Sequence, residues 1–186
     1  MLETIIAALL SFYPKIGDEA LAREHVQAAL DAEAATGIPA TLLLGQAYSE
    51  SRYSPYALSR MECTGEGADE VCARKTGIWK SVKKPKGAKT SWYCGVLQVG
   101  GYVPWSECVK LRDISYNYLT GAKHLKEWMD DSHCSKRKDA DTRLHCALLG
   151  YGGGYQAIES WTSTYPARVL AKQKQIQRLI DKQTTS

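Results

Sequence analysis

A glutamate at the end of an apolar helix is the residue best placed in this chain for acid–base chemistry. Leu43, Ala47 and Glu50 are spaced at i, i+4 and i+7, so they share one face of the helix. An apolar surround and the negative end of the helix dipole both disfavour a charged carboxylate, which predicts a raised pKa for Glu50. A carboxylic acid that stays protonated near neutral pH can give its proton to a leaving oxygen. A solvated surface charge is the common alternative for a glutamate near a helix end.

Two prolines set the expected bounds of this helix. Pro39 suits the first helical position, where its missing N–H costs nothing. Pro55 disfavours helical backbone at Ser54, so the helix should end near Tyr53. The sequence therefore predicts a helix that carries Glu50 in its last turn.

Further blocks follow the Glu50 helix in a set order. They are Glu50-Ser51 with Pro55, Ala57 and Ser59, then Gly95-Val96-Leu97-Gln98-Val99, Ala147-Leu148-Leu149-Gly150-Tyr151-Gly152-Gly153-Gly154 and Thr164-Tyr165-Pro166-Ala167-Arg168-Val169-Leu170. In this order the blocks resemble the soluble lytic transglycosylases and goose-type lysozymes of the lysozyme superfamily. Those enzymes cut the glycan of bacterial peptidoglycan. The resemblance extends over residues 28–170.

The resemblance implies a role for four residues. Glu50 matches the family's catalytic acid, and Ser59 matches a serine that binds the sugar near the cut. Gln98 would hydrogen-bond substrate across the cleft, and the Tyr151 hydroxyl would orient Glu50 or the sugar. Each of the last three also has an ordinary structural explanation: a loop cap, an exposed strand end and a core aromatic with a polar tip.

The implied reaction is cleavage of the β-1,4 bond between N-acetylmuramic acid and N-acetylglucosamine. In the transglycosylase route Glu50 protonates the departing oxygen and then acts as base toward the sugar's own 6-hydroxyl, giving a 1,6-anhydro product. A lysozyme would use water instead, often with a second carboxylate. Candidate second acids lie at Glu62, Glu66, Asp69 and Glu70, where simple solvation is the alternative. Because the transglycosylase route needs one acid, it is favoured over the lysozyme route, and an inactive glycan-binding or structural virion module is the third possibility.

The chain departs from the family pattern at two places. Gly152 stands where these enzymes have an asparagine. An insertion at 60–93 carries two cysteines and many lysines, and residues 79–83 and 89–93 predict a hairpin around a Pro/Gly turn at 84–88. Trp79, Trp92 and Tyr93 are expected to pack beneath it. Its lysines predict a solvated basic loop or a contact with anionic wall polymer; they are Lys75, Lys80, Lys83, Lys84, Lys86 and Lys89.

The composition indicates one soluble globular domain over residues 1–186. The chain has 186 residues, 44% hydrophobic residues and a net charge of +4. That charge favours an anionic partner such as a cell-wall polymer but is too weak to indicate nucleic acid. The partner implied by the resemblance is the peptidoglycan glycan strand, with no cofactor, and with the protein as a monomer or part of a larger particle.

The cysteines indicate an oxidising setting. Six are present, an even number, and fifteen pairings are possible among them. Sequential pairing is the simplest hypothesis, and buried free thiols are the alternative: Cys63–Cys72, Cys94–Cys108 and Cys134–Cys146. The apolar residues 5–12 follow Glu3 and no basic region, so neither a secretory leader nor a membrane span is predicted. The expected location is the cell wall, periplasm or exterior, for example as a bacteriophage endolysin or virion protein.

The fold class predicted is mainly α within an α+β lysozyme-like architecture: a helical bundle around the central Glu50 helix, with a small β-hairpin lobe. Helices are expected at 2–13, from a cap at Asp18 to about 35, at 114–129, 144–151, 157–161 and 168–180. Gly37 should close the second helix in a left-handed conformation.

Two further groups of residues have alternative interpretations. His133, Cys134, His145 and Cys146 could bind a metal, but their spacing fits no standard zinc pattern. Trp161 and Tyr102 could stack on sugar faces, although buried aromatics are more common. Neither group is assigned to the site.

Overall fold

The chain folds as helices around a main apolar core, as the helical periodicity predicts, and it carries a small antiparallel sheet. The computed structural model describes residues 1–64, 71–84, 92–101 and 103–185, with the backbone alone at 61–64 and 71–74. The helices of this part are α1 (Leu2–Phe12), α2 (Glu19–Thr36), α3 (Ala40–Ser51), α4 (Trp105–Lys110), α5 (Ile114–Asp130), α6 (Ser132–Ser135), α7 (Ala140–Ser160) and α8 (Tyr165–Thr184). The strands are β1 (Ala57–Thr64), β2 (Val71–Ile78), β3 (Trp92–Cys94) and β4 (Val99–Gly101), in the order β2-β1-β3-β4.

Helix α3 lies at the centre of the core. Leu42, Leu43 and Leu44 are all fully buried, so this helix is enclosed on every side along its first half. Gly45 allows α8 to approach closely, because a Cβ atom at this position would lie 2.7 Å from the backbone nitrogen of Gln173. The helix that carries Glu50 is therefore held rigidly by packing before its last turn reaches the surface.

The ends of α3 differ by one or two residues from those predicted. Pro39 caps the helix rather than occupying its first turn. At the other end, Arg52 and Tyr53 adopt left-handed backbone with φ of 54° and 64°, so the helix stops at Ser51. The buried Tyr53 hydroxyl donates to the Leu44 carbonyl at 3.0 Å, which pulls the chain back onto the helix. This reversal leads the chain directly into β1.

Most predicted helix signals have the expected geometry. Asp18 caps α2 by accepting from Leu21 N at 2.7 Å, and Gly37 closes it with φ of 75°. The segments predicted at 144–151 and 157–161 both lie within α7, whose backbone leaves helical geometry at Gly154 with φ of 66°, so two helical segments meet there at a kink. Helix α8 begins three residues earlier than predicted, at Tyr165 with Pro166 in its first turn.

The predicted hairpin was wrong in its position. Strands β1 and β2 form the hairpin, whereas residues 79–84 form no strand and 85–91 lie outside the described residues. Side chains donate hydrogen bonds to the backbone carbonyls of 80–83, which a strand would use to pair with its neighbour. Trp105 donates to Val82 O at 2.8 Å, Trp79 donates to Lys83 O at 3.2 Å, and Arg112 binds the carbonyls of the two residues before Val82.

Two of the predicted disulfides are present. Cys94 bonds to Cys108, tying β3 to α4, and Cys134 bonds to Cys146, tying α6 to α7. Cys63 and Cys72 are direct partners in the β1–β2 register, while their side chains lie outside the described residues. Two disulfides are consistent with an oxidising setting. Among the described helices, none combines the length and apolarity that crossing a membrane requires.

The buried histidine of α2 predicts a loss of stability in mild acid. His25 is fully enclosed beside the rings of Tyr53 and Tyr118, and burial lowers its pKa to about 4 from 6.5. Between these two values the unfolded chain binds a proton that the folded chain excludes. The free energy of unfolding should therefore fall by about 3 kcal/mol as the pH drops from 7 to 4.

Urea unfolding of wild type and His25→Phe at both pH values measures this contribution. The variant should be less stable than wild type at pH 7 but should lose about 3 kcal/mol less than wild type on acidification. An equal acid-induced loss in both proteins would show that other groups cause it.

Candidate active site

Glu50 lies where the buried end of α3 meets open cavities. Its side chain is half-buried and lines two adjoining cavities of about 330 and about 190 Å³. Gln98 lines both cavities with it. Ser59 lines the larger cavity, and Tyr151 lines the smaller. The four residues singled out from the sequence therefore surround one concave region, although they come from separate parts of the chain.

A tight turn between β3 and β4 brings Gln98 to this region. Gly95 begins the turn with φ of 74°, a conformation that L side chains rarely adopt. A Cβ atom there would also lie 2.1 Å from Leu111 O and 2.3 Å from Asn117 Nδ2, so only glycine fits. Gln98 ends the turn with φ of 49°, which is uncommon outside glycine. Such strained backbone persists only where its surroundings fix it.

The buried side chain of Asn117, on α5, fixes the turn from below. Its Nδ2 donates to Cys94 O at 2.9 Å and to Leu111 O at 2.8 Å. Its Oδ1 accepts from Leu97 N at 2.7 Å. Leu97 O in turn accepts from the Tyr151 hydroxyl at 2.8 Å. Both backbone groups of Leu97 are thus paired with side chains from α5 and α7.

The same turn is bonded directly to the helix of Glu50. Ser51, the neighbour of Glu50, donates from its hydroxyl to Val96 O at 2.7 Å. This hydrogen bond fixes the end of α3 against the turn. The backbone at Glu50 is therefore held next to the turn that carries Gln98.

Ser59 and Gln98 are bonded to each other in this structure. The Ser59 hydroxyl donates to Gln98 Oε1 at 2.7 Å, and Gln98 Nε2 donates to Ala57 O and Gly95 O, both at 3.0 Å. Each side chain is only 5% exposed. The hydrogen bonds therefore support a role in holding β1 to the turn, and direct binding of sugar by these two residues stays a prediction.

Two tyrosines experience the charge of Glu50. Burial raises the pKa of both Tyr151 and Tyr165 well above 10, and the negative charge of Glu50 is the second cause in each case. Both phenols consequently keep their protons at neutral pH and can act as hydrogen-bond donors. Tyr151 uses its proton on Leu97 O, so Tyr165, at the start of α8, is the phenol better suited to act on the carboxylate.

The ring of Tyr165 explains the departure at position 152. A Cβ atom on Gly152 would lie 2.8 Å from Tyr165 Cδ1 and 3.1 Å from its Cγ. The ring therefore occupies the volume that an asparagine side chain would need. Arg168 and Ser163 complete this side of the smaller cavity.

The sequence analysis missed several residues of this region. Asn117, Tyr165 and Arg168 were given no role, although Tyr165 and Arg168 belong to the last of the blocks that carry the resemblance. The available signal for Asn117 was its position three residues after Ile114, on the apolar face of the predicted helix.

Glu50 is the only carboxylate among the described residues that line these two cavities. Glu66, Asp69 and Glu70 lie outside the described residues, and so does the side chain of Glu62. Tyr102 also lies outside them.

The two cysteines of the metal site considered above cannot act as thiolate ligands. Cys134 and Cys146 are joined in a disulfide, so neither sulfur is available as a thiolate. Trp161 is 40% exposed, and it stacks on His145 with ring centroids 5.0 Å apart, outside the two cavities at Glu50.

Comparisons of the chain with protein-family models, with curated proteins and with solved structures find no match.

Replacing Gly152 with the asparagine found in the resembling enzymes should damage this protein. Because the Tyr165 ring fills the space, we expect Gly152→Asn to lower the free energy of unfolding by about 1–3 kcal/mol. In a Tyr165→Ala background the same substitution should be nearly neutral, because the obstructing ring is gone. A double-mutant cycle by thermal or urea unfolding measures this coupling. Equal costs in the two backgrounds would contradict the steric explanation.

Proposed function

We propose that this protein cleaves the β-1,4 bond between N-acetylmuramic acid and N-acetylglucosamine in peptidoglycan, as a lytic transglycosylase with Glu50 as general acid and base. The resemblance of its ordered blocks to soluble lytic transglycosylases and goose-type lysozymes suggests this chemistry. A helical bundle with a small sheet beside the cleft is consistent with a lysozyme-like fold. The oxidising setting indicated by the disulfides suits an enzyme that acts on the wall.

The convergence of Glu50, Gln98 and Tyr151 is the observation that carries the proposal. The three residues come from α3, the turn after β3 and α7, and about 100 residues separate the first from the last. A surface glutamate with no function would need neither a strained turn fixed to its helix nor buried phenols beside it. Polar groups that converge on a concave region are typical of a catalytic site.

The first step needs a proton on the glycosidic oxygen. A sugar chain lying across the two cavities passes next to Glu50, which protonates that oxygen as the bond to C1 of the muramic residue breaks. The departing sugar keeps a free 4-hydroxyl. The remaining ring carries oxocarbenium character.

The second step returns the proton. The 6-hydroxyl of the same muramic residue attacks C1 and gives its proton to the Glu50 carboxylate, which forms the 1,6-anhydro ring and restores the acid. One carboxylate serves both steps, which fits a cavity pair whose described lining contains only Glu50 as an acid. Tyr165, protonated at neutral pH, is suited to donate a hydrogen bond to the carboxylate between the steps.

Removing the acid should remove the activity while the fold remains. We expect Glu50→Gln to reduce clearing of permeabilised bacterial cells by at least about a hundredfold, because an amide cannot protonate the leaving oxygen. Turbidity assays measure the rate, and circular dichroism confirms folding. Glu159→Gln, an exposed change on α7, is the matched control and should clear at the wild-type rate. Clearing by Glu50→Gln at the rate of the control would reject Glu50 as the acid.

The chemistry of the products distinguishes the two routes. We expect mass spectrometry of digested walls to find 1,6-anhydro ends, which are lighter than hydrated reducing ends by one water molecule. Hydrated ends in their place would assign the protein as a lysozyme-type hydrolase. Binding without either product would favour an inactive glycan-binding module.

A further inference from the structure

A third cavity, lined by four cations, adjoins the region of Glu50. It has a volume of about 630 Å³, and its basic residues come from four separate segments: Lys15, Arg52, Lys80 and Arg112. Two carboxylates, Glu24 and Asp113, also line it. Asp113 is engaged in capping α5, where it accepts from Tyr116 N at 2.7 Å. The formal charge of the lining is therefore positive.

None of these four cations forms an ion pair within the described part of the chain. Elsewhere on the surface, Arg23, Lys110 and Lys126 all pair with nearby carboxylates. Four unpaired cations around one cavity raise the local positive potential and attract an anion.

The fold fixes several of these cations in place. Arg112 donates to the backbone carbonyls of Lys80 and Ser81, which holds that segment against the start of α5. The Lys80 ammonium lies 5.6 Å from the centre of the exposed Tyr56 ring. Arg52 donates to the Tyr48 hydroxyl at 3.2 Å. Little side-chain entropy remains to be lost when an anion binds to such groups.

This cationic cavity adjoins the cleft of Glu50. Arg52 and Ile78 line both it and the larger cavity at Glu50, and Glu50 with Gln98 connects that cavity to the smaller one. A strand bound at Glu50 that continues past Arg52 and Ile78 would reach the four cations. The exposed apolar surface of Ile78 and Tyr56 lies between them and can accept the non-polar part of a ligand.

We infer that the cationic cavity binds an acidic substituent of the glycan strand, either the carboxylate of an attached peptide or the phosphate of an attached polymer. This inference rests on the proposed function, because it takes the strand at Glu50 to be peptidoglycan. The cavity would select substituted strands over bare glycan and set which bond lies at Glu50.

Charge reversal with a matched control tests the inference. Lys15→Glu/Lys80→Glu changes two cavity residues whose side chains donate no hydrogen bond in the described structure. Lys136→Glu/Lys138→Glu makes the same change in net charge on an exposed loop outside the cavities. Co-sedimentation with insoluble walls, measured in a Glu50→Gln background, gives the affinity of each without cleavage.

We expect the cavity variant to bind intact walls about tenfold more weakly than the control variant, with the gap shrinking at high salt. Circular dichroism and thermal unfolding establish that both variants are folded. Equal affinities for the two variants would overturn the inference, because a general effect of net charge would then account for the binding.

Treated walls identify the source of the anion. If the peptide carboxylate binds, the gap should close on walls whose carboxylates have been converted to amides with a carbodiimide and ammonia, a treatment that leaves the cross-linked wall insoluble. If the phosphate binds, it should close on walls extracted to remove phosphate polymers. A gap that closes only after both treatments assigns both anions to the cavity, and one that persists after both overturns the inference. Clearing of cells by the protein with Glu50 intact tests the proposed cleavage separately. If that protein does not clear cells while the difference in wall affinity between the two variants remains, the proposed cleavage is rejected and the inference about the cavity stands.

Discussion

The candidate site depends on one buried amide. Asn117 holds the carbonyls of Cys94 and Leu111 and the N–H of Leu97, and these three bonds anchor a turn that begins with a left-handed glycine and ends with the strained backbone of Gln98. Without that anchor the buried polar groups of the turn would lack partners, at a free-energy cost of about 1–3 kcal/mol each. The turn that carries Gln98 is therefore held from the side of the core, while Ser51 holds it to the helix of Glu50. The core of the protein therefore determines the geometry of its surface cleft.

The helices were predictable because their signals are local. Asp18 and Gly37 each act within a few residues of their own position, and the apolar spacing of α3 and α5 is visible in the sequence. The sheet was not predictable, because strand pairing depends on partners far along the chain. Residues 79–83 look like a strand but are bonded to Trp105 and Arg112 on other elements, and no local pattern reveals such bonds. Tertiary contacts override local preference at such positions.

The candidate site also combines features that the sequence indicated with contacts that it did not. The resemblance singled out Glu50, Ser59, Gln98 and Tyr151, and the structure brings them around one concave region. Their individual contacts were beyond the sequence: Ser59 and Gln98 bond to each other, and Tyr151 bonds to the turn. Spacing along the chain can indicate which residues gather, but the partner of each hydroxyl depends on distances of a few tenths of an ångström. The Gly152 position, which looks like a defect in the pattern, is filled by the ring of Tyr165.

The bond between Cys94 and Cys108 has a consequence for when this region becomes fully rigid. Cys94 immediately precedes the turn, and its own carbonyl is one of the groups that Asn117 holds. In a reducing compartment the turn keeps its hydrogen bonds but lacks the covalent tether to α4. Oxidation closes a loop of 14 residues beside the cleft, which removes disordered alternatives from the unfolded chain. The region beside Glu50 therefore gains this last restraint only in an oxidising setting.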